Sequence, residues 1–226
     1  MNAPQRVPTF NDRLALALAN VTYRVARTEA ERDAIFRLRY RGYLRDGGIG
    51  ACQSERFTDP WDDADNALLI GMFRGDQLVS SVRFHMNLPQ GARFPALDTF
   101  ADVLEPLVDS GKTIIDPTRF VIDPDLAHLG PELPFLTLRM IAMAAEHFDA
   151  EIILATVRVE HMVMYKRIVG HRPISEPRTY PLLSRKIVCS TVEIGQMRAT
   201  AYVRHPFLAS THQERESIFG PTGQAF

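Results

Sequence analysis

The sequence predicts an α/β fold built on a mixed sheet, and three observations carry that reading. Strand-like and helix-like segments alternate as β-α-β-β-α-β-α-β-α-β-β. Residues 151–157 are nearly all apolar after Glu151, the mark of a strand buried on both faces. Two β runs, Ala67–Arg74 and Gln77–Met86, are separated only by Gly75-Asp76, a hairpin turn that introduces antiparallel pairing.

Residues 11–19 read as a short Ala/Leu-rich helix capped by Asn11 or Asp12, and residues 21–26 as a strand. Thr28 followed by Glu31 matches a capping box, in which each side chain satisfies a backbone N–H of the other's turn. That box opens a helix running to about Arg45. Gly47, Gly48 and Gly50 end it, and a polar loop containing Pro60 leads into the hairpin. After the Pro/Gly-rich stretch 89–96, a short helix is expected over 100–107 and a strand over 113–122. Pro131 and Pro134 fall in the first turn of a long helix over 131–148, where a missing N–H costs nothing. A helix over 160–169 ends at Gly170, and strands are expected at roughly 174–192 and 197–203. Periodicity fades after His205, so a loosely ordered tail is expected there.

At 226 residues the chain suits one ordinary domain with a sizeable core. A hydrophobic fraction of 46% with 23% charged residues excludes disorder and fibrous repeats for its bulk. Lys+Arg 26 against Asp+Glu 27 gives a net charge of -1, which argues against a nucleic-acid surface. Cys52 and Cys189 lack metal-ligand spacing, and the seven histidines show none either. HExxH, GxSxG, P-loop and Rossmann glycine patterns are absent. No apolar run reaches membrane-spanning length, and Pro4 and Pro8 stand where a signal peptide has an apolar stretch. A cytoplasmic protein without membrane span or metal is expected.

Several residues break their local pattern. Ile35, Leu38, Arg39, Gly42 and Tyr43 share one helical face, so Arg39 sits inside an apolar stripe. A guanidinium stays charged, so burying it demands a carboxylate or an anionic ligand; otherwise it snorkels to the helix edge. Arg37, Arg41 and Arg45 form a basic row on the opposite face, either solvated or a docking site for an acidic partner. The loop 57–63 sets Asp59, Asp62 and Asp63 beside Trp61 and supplies possible partners for Arg39. In the next strand Val79, Ser81, Arg83 and His85 share one face, and Leu78, Val82, Phe84 and Met86 the other. In Asp116-Pro117-Thr118-Arg119-Phe120-Val121, Pro117 cannot donate to a ladder and marks a bulge or an edge. One bulge would turn Asp116 and Arg119 to the same cleft; without it they form an exposed pair on an irregular edge.

The ordered set of residues 39–43, Asp59 and Asp62, Ser81-Val82-Arg83 and Asp116-Pro117-Thr118-Arg119-Phe120 resembles acyl-homoserine-lactone (autoinducer) synthases. It is equally similar to their relatives, the bacterial long-chain N-acyl amino acid synthases, over residues 21–170. The resemblance implies a GNAT-like acyltransferase fold: a central mixed, mostly antiparallel sheet with a bulged central strand, flanked by helices. It implies an N-terminal helical arm over 1–20, the acyltransferase domain over 21–204 and a tail over 205–226. Arg39 and Tyr43 match an arginine and aromatic four apart, Asp59 and Asp62 match two acids three apart, and Arg83 matches the strand arginine. Asp116-x-Thr118-Arg119 corresponds to Glu-x-Ser-Arg with Glu shortened to Asp. Met164-Tyr165-Lys166-Arg167 before Gly170 resembles a helix whose Tyr protonates the leaving thiolate in many relatives; packing under a strand end is the other role for Tyr165.

Two departures shape the expected chemistry. Gly47 and Gly48 stand where lactone-forming relatives place a Trp that closes over S-adenosylmethionine. The Arg/Gln-x-x-Gly-x-Gly/Ala loop that holds the coenzyme A pyrophosphate is missing, with only Gly130 before the helix. The expected activity is therefore transfer of a fatty acyl chain from an acyl-carrier protein thioester to an amino acid or similar small amine. Acyl-phosphopantetheine is the expected co-substrate, ahead of acyl-CoA, with no bound cofactor. Asp116 is the expected base, and backbone N–H near Phe120 and Val121 would hold the oxyanion. Arg83 and Arg119 would position a carboxylate or hold the loop acids, with Thr118 beside them. Arg39, Asp59 and Asp62 would clamp the site entrance. A lactone synthase using S-adenosylmethionine and a non-catalytic acyl- or protein-binding domain are the alternatives.

Overall fold

The computed structural model describes residues 7–88, 91–126, 130–180 and 185–220. Helix α1 (Phe10–Leu18) is capped by Thr9 and not by Asn11 or Asp12: the Thr9 hydroxyl accepts the Asp12 N–H, and the Asp12 carboxylate accepts the Thr9 N–H at 2.8 Å. Strand β1 (Thr22–Val25) leads into α2 (Glu29–Arg45), whose Thr28/Glu31 capping box is formed. A 3-10 turn over Pro60–Asp63, capped by Asp59, precedes the hairpin of β2 (Ala67–Arg74) and β3 (Gln77–Met86). Then come α3 (Leu97–Asp109), β4 (Ile114–Ile122), α4 (Leu133–His147), β5 (Ile152–Arg158) and α5 (Met162–Ile168). Two-residue strands β6 (Arg172–Pro173) and β7 (Arg178–Thr179) flank β8 (Lys186–Glu193). Helices α6 (Ile194–Arg204) and α7 (His212–Phe219) follow.

Two expectations fail at the C-terminal end. Residues 197–203, expected as a strand, lie in α6, where Ile194, Met197 and Ala201 make a buried helical stripe. The spacing is the helical i, i+3, i+7, and Gln, Met, Arg and Ala are good helix formers. The tail is not loose over its described part. The buried Arg139 of α4 donates to the carbonyls of Phe207 at 2.6 Å and Ala209 at 2.9 Å, and to Glu214 of α7 at 2.8 Å. These bonds lay the tail over α4, which is why α4 is buried on nearly every side.

The strands form one sheet in the order β1-β2-β3-β4-β5-β8-β6, with β7 also on β8. Every pairing is antiparallel except β4 with β5. One face carries α4 over Val82, Phe84, Met86, Ile115 and Ile153. The other face carries α3 over Ile114, Ile152 and Leu154, and α2 over Leu69. Leu78 and Val79 exchange the faces expected of them, because the β2–β3 register shifts at Met72/Phe73. Helix α2 sits directly on β4. A Cβ on Gly42 would lie 2.5 Å from Val121 Cγ1. Gly42→Ala is expected to cost about 1–3 kcal/mol, read as a lower denaturant midpoint at unchanged slope.

The pairing of β4 with β5 is confined to Ile114↔Ile152 and Ile115↔Ile153. Beyond these the two parallel strands diverge. Peptide groups of β4 past Ile115 that point toward β5 therefore face open space instead of a strand partner. On its other edge β4 is bulged: Ser81 pairs Val121 and Arg83 pairs Thr118, with Arg119 at φ 54. A non-glycine residue at positive φ is a strained conformation held by its surroundings. Among the described residues no helix is long and apolar enough to cross a membrane.

Candidate active site

On the α2/α3 face the charged residues singled out in the sequence meet in one buried network. Arg39 is 0% exposed and donates through Nη1 to Asp62 Oδ1 at 2.6 Å. Arg83 Nη1 reaches the same oxygen at 2.8 Å and Asp59 Oδ1 at 2.7 Å, while its Nε donates to Thr118 Oγ1 at 3.1 Å. Arg119 closes the array on Asp59 Oδ2 through Nε at 2.9 Å and through Nη2. The carboxylates are also tied to the turn they start. Asp59 accepts the Trp61 N–H at 2.9 Å, and Asp62 accepts the Asp59 N–H at 3.0 Å. Proline at the first helical position and Asp at the cap make this turn locally favoured, so the loop presents both acids together.

Burial alone would raise the carboxyl pKa values, but the guanidinium groups outweigh it. Arg83 and Arg119 hold Asp59 at about 2, and Arg39 and Arg83 lower Asp62. Burial likewise draws Arg39 down to about 10, with Asp62 opposing. The network is ionic throughout the physiological range. Arg83 and Arg119 hold the loop acids, the second of the two roles expected of them. Their charges are engaged inside the protein, which removes them as free binders of an acceptor carboxylate.

Asp116 stands apart from this network. It lies on the same face at 0% exposure, and its Oδ2 accepts the Ala96 N–H at the start of α3, at 2.9 Å. Its Oδ1 has no hydrogen-bond partner. Burial pushes its pKa up to about 6, with the Ala96 N–H and Arg83 opposing. Among the described buried carboxylates, Asp116 has no arginine partner while Asp59, Asp62 and Asp123 do.

Where β4 and β5 part, a cavity of about 450 Å³ opens through the sheet. Pro117, Thr118, Arg119 and Phe120 form one wall, and residues 154–158 of β5 the other. Tyr43 and Gly48 from the end of α2, Ile141 of α4 and Met164 of α5 complete it. One end is bounded by the exposed Glu160 and His161 and by Arg158, which pairs with Asp46 at 2.5 Å and Glu160 at 3.3 Å. Tyr165 lines the cavity, and burial pushes its phenol pKa well up, so the proton stays on. Arg119 remains cationic despite burial because Tyr43 and Asp59 lie beside it.

The structure thus divides the expected site. Thr118, Arg119, Phe120 and Tyr165 border the cavity. Arg39, Asp59, Asp62 and Arg83 form the network behind it. Asp116 and Arg119 do not share one cleft as expected: the bulge turns Arg119 toward Asp59 and the cavity, while Asp116 points to α3. Val121 packs against α2 and is outside the cavity lining. Sequence reading missed Asp46, Arg158, Glu160 and His161 at the cavity's exposed end. Glu160 and His161 directly follow a buried strand, which is the only signal they offered. The basic row of α2 is not a free cationic surface. Arg37 pairs with Asp33 at 2.7 Å, Arg41 with Asp123 at 2.6 Å and Arg45 with Asp125 at 2.9 Å. Lys166 and Arg167 are exposed on α5 beside the cavity.

The fold is GNAT-like. The chain is similar to FeeM, an N-acyl amino acid synthase from uncultured soil microbes, at 18% identity and TM-score 0.68, over 81% of this chain and 96% of that one. It is also similar to BjaI, a CoA-dependent acyl-homoserine lactone synthase, at 15% identity and TM-score 0.59, over 79% and 83% of the two chains. For the acyl-homoserine lactone synthase LasI the figures are 16% identity and TM-score 0.57, over 77% and 90%. A comparison with curated proteins finds no match. The family model for N-acyl amino acid synthase FeeM matches residues 34–193. Matched over more than half its length, the chain belongs to the FeeM family of N-acyl amino acid synthases and is an acyltransferase.

Proposed function

We propose that the protein moves a fatty acyl chain from the phosphopantetheine thioester of an acyl-carrier protein to the amine of an amino acid or similar small amine. The observation that carries this reading is the cavity between β4 and β5. An extended pantetheine arm can lie along the unpaired edge of β4 as an added strand does, through backbone hydrogen bonds. The hydrocarbon lining from Phe120, Ile141, Leu154 and Met164 suits an acyl chain.

The start of α4 supports a carrier over coenzyme A. A helix N-terminus attracts pyrophosphate through its free N–H groups and dipole. Here Glu132 occupies the N-cap position without a side-chain cap hydrogen bond, and its carboxylate, paired with Arg13 at 3.2 Å, sets a negative group beside the place a pyrophosphate would take. An amino acid acceptor accords with the family's description.

The reaction needs two protons removed from the acceptor ammonium. One leaves before attack; Asp116, a buried carboxylate without an arginine that lies outside the cavity lining, would take it by way of water and not by direct contact with the amine. The free amine then adds to the thioester carbonyl, forming the C–N bond. Peptide N–H groups of the bulged strand near Phe120 stabilise the oxyanion. The C–S bond breaks as Tyr165 protonates the thiolate, and the nitrogen's second proton restores the phenol. The products are amide and free thiol, with no covalent enzyme intermediate.

Incubation with acyl-carrier protein and pooled amino acids, followed by mass spectrometry, tests this directly. New amides are expected, with at least ten-fold (~10) preference over acyl-CoA and turnover falling as salt rises, because Lys166 and Arg167 would meet the carrier's acidic surface. Equal use of acyl-CoA, a homoserine lactone from S-adenosylmethionine, or acyl binding without turnover would each overturn it. Tyr165→Phe is expected to lower kcat by about 10²-fold with KM little changed. A purely structural Tyr165 would leave kcat intact in a folded variant.

A further inference from the structure

We propose that Arg158 and Arg185 form a clamp that holds the acceptor's carboxylate at the exposed end of the cavity, and so make that carboxylate a condition for efficient acylation. The clamp rests on the amino acid acceptor proposed above and names the residues that would select it.

An acceptor carboxylate needs a cation, and the buried arginines do not offer one. Arg83 is committed to Asp59, Asp62 and Thr118, and Arg119 to Asp59. Among the described residues, the cavity lining holds two further guanidinium groups, Arg158 and Arg185. Arg158 ends β5, and Arg185 directly precedes β8. In that antiparallel ladder Arg158 lies opposite Ile187, so the two side chains share a face. Arg185 stands two residues before Ile187, the diagonal position that a long side chain can span. Ile187 belongs to the α3-side core, which sets Arg158 on the α2/α3 face of the sheet. Its pairing with Asp46, the C-cap residue of α2, agrees. The Glu160 carboxyl is held below its usual range, first by its own backbone N–H and also by Arg158 and Arg185, so both cations lie near it.

The present partners of Arg158 are replaceable. It donates through Nη1 to Asp46 at 2.5 Å and through Nη2 to His161 Nε2 at 2.9 Å, and its Nε lies 3.3 Å from Glu160. A guanidinium only donates, so His161 accepts at Nε2, carries its hydrogen on Nδ1 and is neutral. The Asp46 and Glu160 side chains are 51% and 61% exposed, and ion pairs that open to water contribute little. Asp59, at 3% side-chain exposure, cannot be exchanged from Arg83 and Arg119 in the same way. Arg185 is exposed and is held by no ion pair among the described residues. Two guanidinium groups, two carboxylates and a neutral imidazole give this end of the cavity an even charge balance, which suits a zwitterion. The acceptor's carboxylate would replace an exposed acid on the arginine forks, leaving its amine directed inward. The apolar lining from Ile141 and Met164 belongs to the α4 side. Acyl chain and acceptor would therefore meet from opposite faces of the sheet.

Kinetics with an acyl-carrier protein donor test the clamp by comparing each acylated amino acid with the amine that lacks its carboxylate. The wild type should favour the amino acid by about 10- to 10²-fold in kcat/KM, the worth of a charge-assisted pair. In Arg185→Ala and Arg158→Gln that preference should fall by about ten-fold, through a higher KM for the amino acid with kcat moving less. Arg185→Lys should recover part of it, since the charge returns without the fork. Arginine labelling with phenylglyoxal, read by mass spectrometry, needs no turnover. Amino acids at about 10 mM, above the usual KM range, should shield Arg158 and Arg185, while the decarboxylated amines should not. A wild type indifferent to the carboxylate, or a preference unmoved in both folded variants, would overturn the clamp. So would shielding by inorganic phosphate and not by amino acids, which would give the two arginines to the donor's phosphate. If amides form and the carboxylate makes no difference, the clamp alone fails. If amino acids shield both arginines and no amide forms, the acyl-transfer reading fails and the clamp stands.

Discussion

Arg39→Ala is expected to cost about 3–5 kcal/mol of stability, the largest effect of any single change in the buried network. The side chain is fully buried and its Nη1 lies 2.6 Å from Asp62. Removing it leaves Asp62 with Arg83 as its remaining cation and opens a cavity under Phe36, whose ring lies 5.4 Å from the guanidinium. Denaturant unfolding measures the loss; a change under about 1 kcal/mol would mean the pair contributes no more than a surface contact. The same network sets an acid limit. Asp59 titrates at about 2 in the folded chain, below the about 3.9 of a free Asp. Its folded pKa is depressed, so its contribution is complete above about pH 4 and is lost as pH falls through 2. Wild-type protein should hold its network at pH 5, and acid unfolding should set in only well below that.

Arg39 also shows what a sequence can disclose. Its place in an apolar helical stripe already required a buried partner, and the nearby acids of the 57–63 loop were the available ones. The capping box of α2 and the hairpin bounds were legible for the same reason: each is decided by residues close in the chain. Pro117, read as the mark of a bulge or an edge, instead pairs in register with Phe84, and the bulge falls between Thr118 and Val121. The cavity was not. It exists because β4 and β5, separated by the whole of α4, pair over two residues and then part, and no local pattern encodes that divergence. The direction of Asp116 escaped for a related reason. Periodicity gives its face, but the N–H that binds it belongs to Ala96, twenty residues away in sequence. Helix α6 was misread because seven residues of mixed polarity fit either period until the buried stripe of Ile194, Met197 and Ala201 is seen.

Asp116→Asn should separate activity from stability more sharply than any other substitution. Turnover is expected to fall by about 10²- to 10⁴-fold, since the amide keeps the shape and loses the base. Stability should move the other way. The folded pKa of Asp116 is raised from 3.8 to about 6, so the folded chain binds this proton more tightly than the unfolded chain does. Its contribution is full below about pH 4 and is lost as pH rises through 6, leaving a buried uncompensated charge at pH 8. Asn carries no charge to bury, which removes a penalty of up to about 3 kcal/mol at pH 8 and almost none at pH 4. The variant should therefore equal or exceed the wild type in denaturant midpoint at pH 8, and the two should converge on acidification. A side chain kept only for packing would show the reverse, a stability loss independent of pH with activity falling in proportion. On the acyl-transfer reading proposed above, Asp116 is the proton acceptor, and a destabilising carboxylate with no arginine accords with that role in a protein whose other buried acids are paired among the described residues.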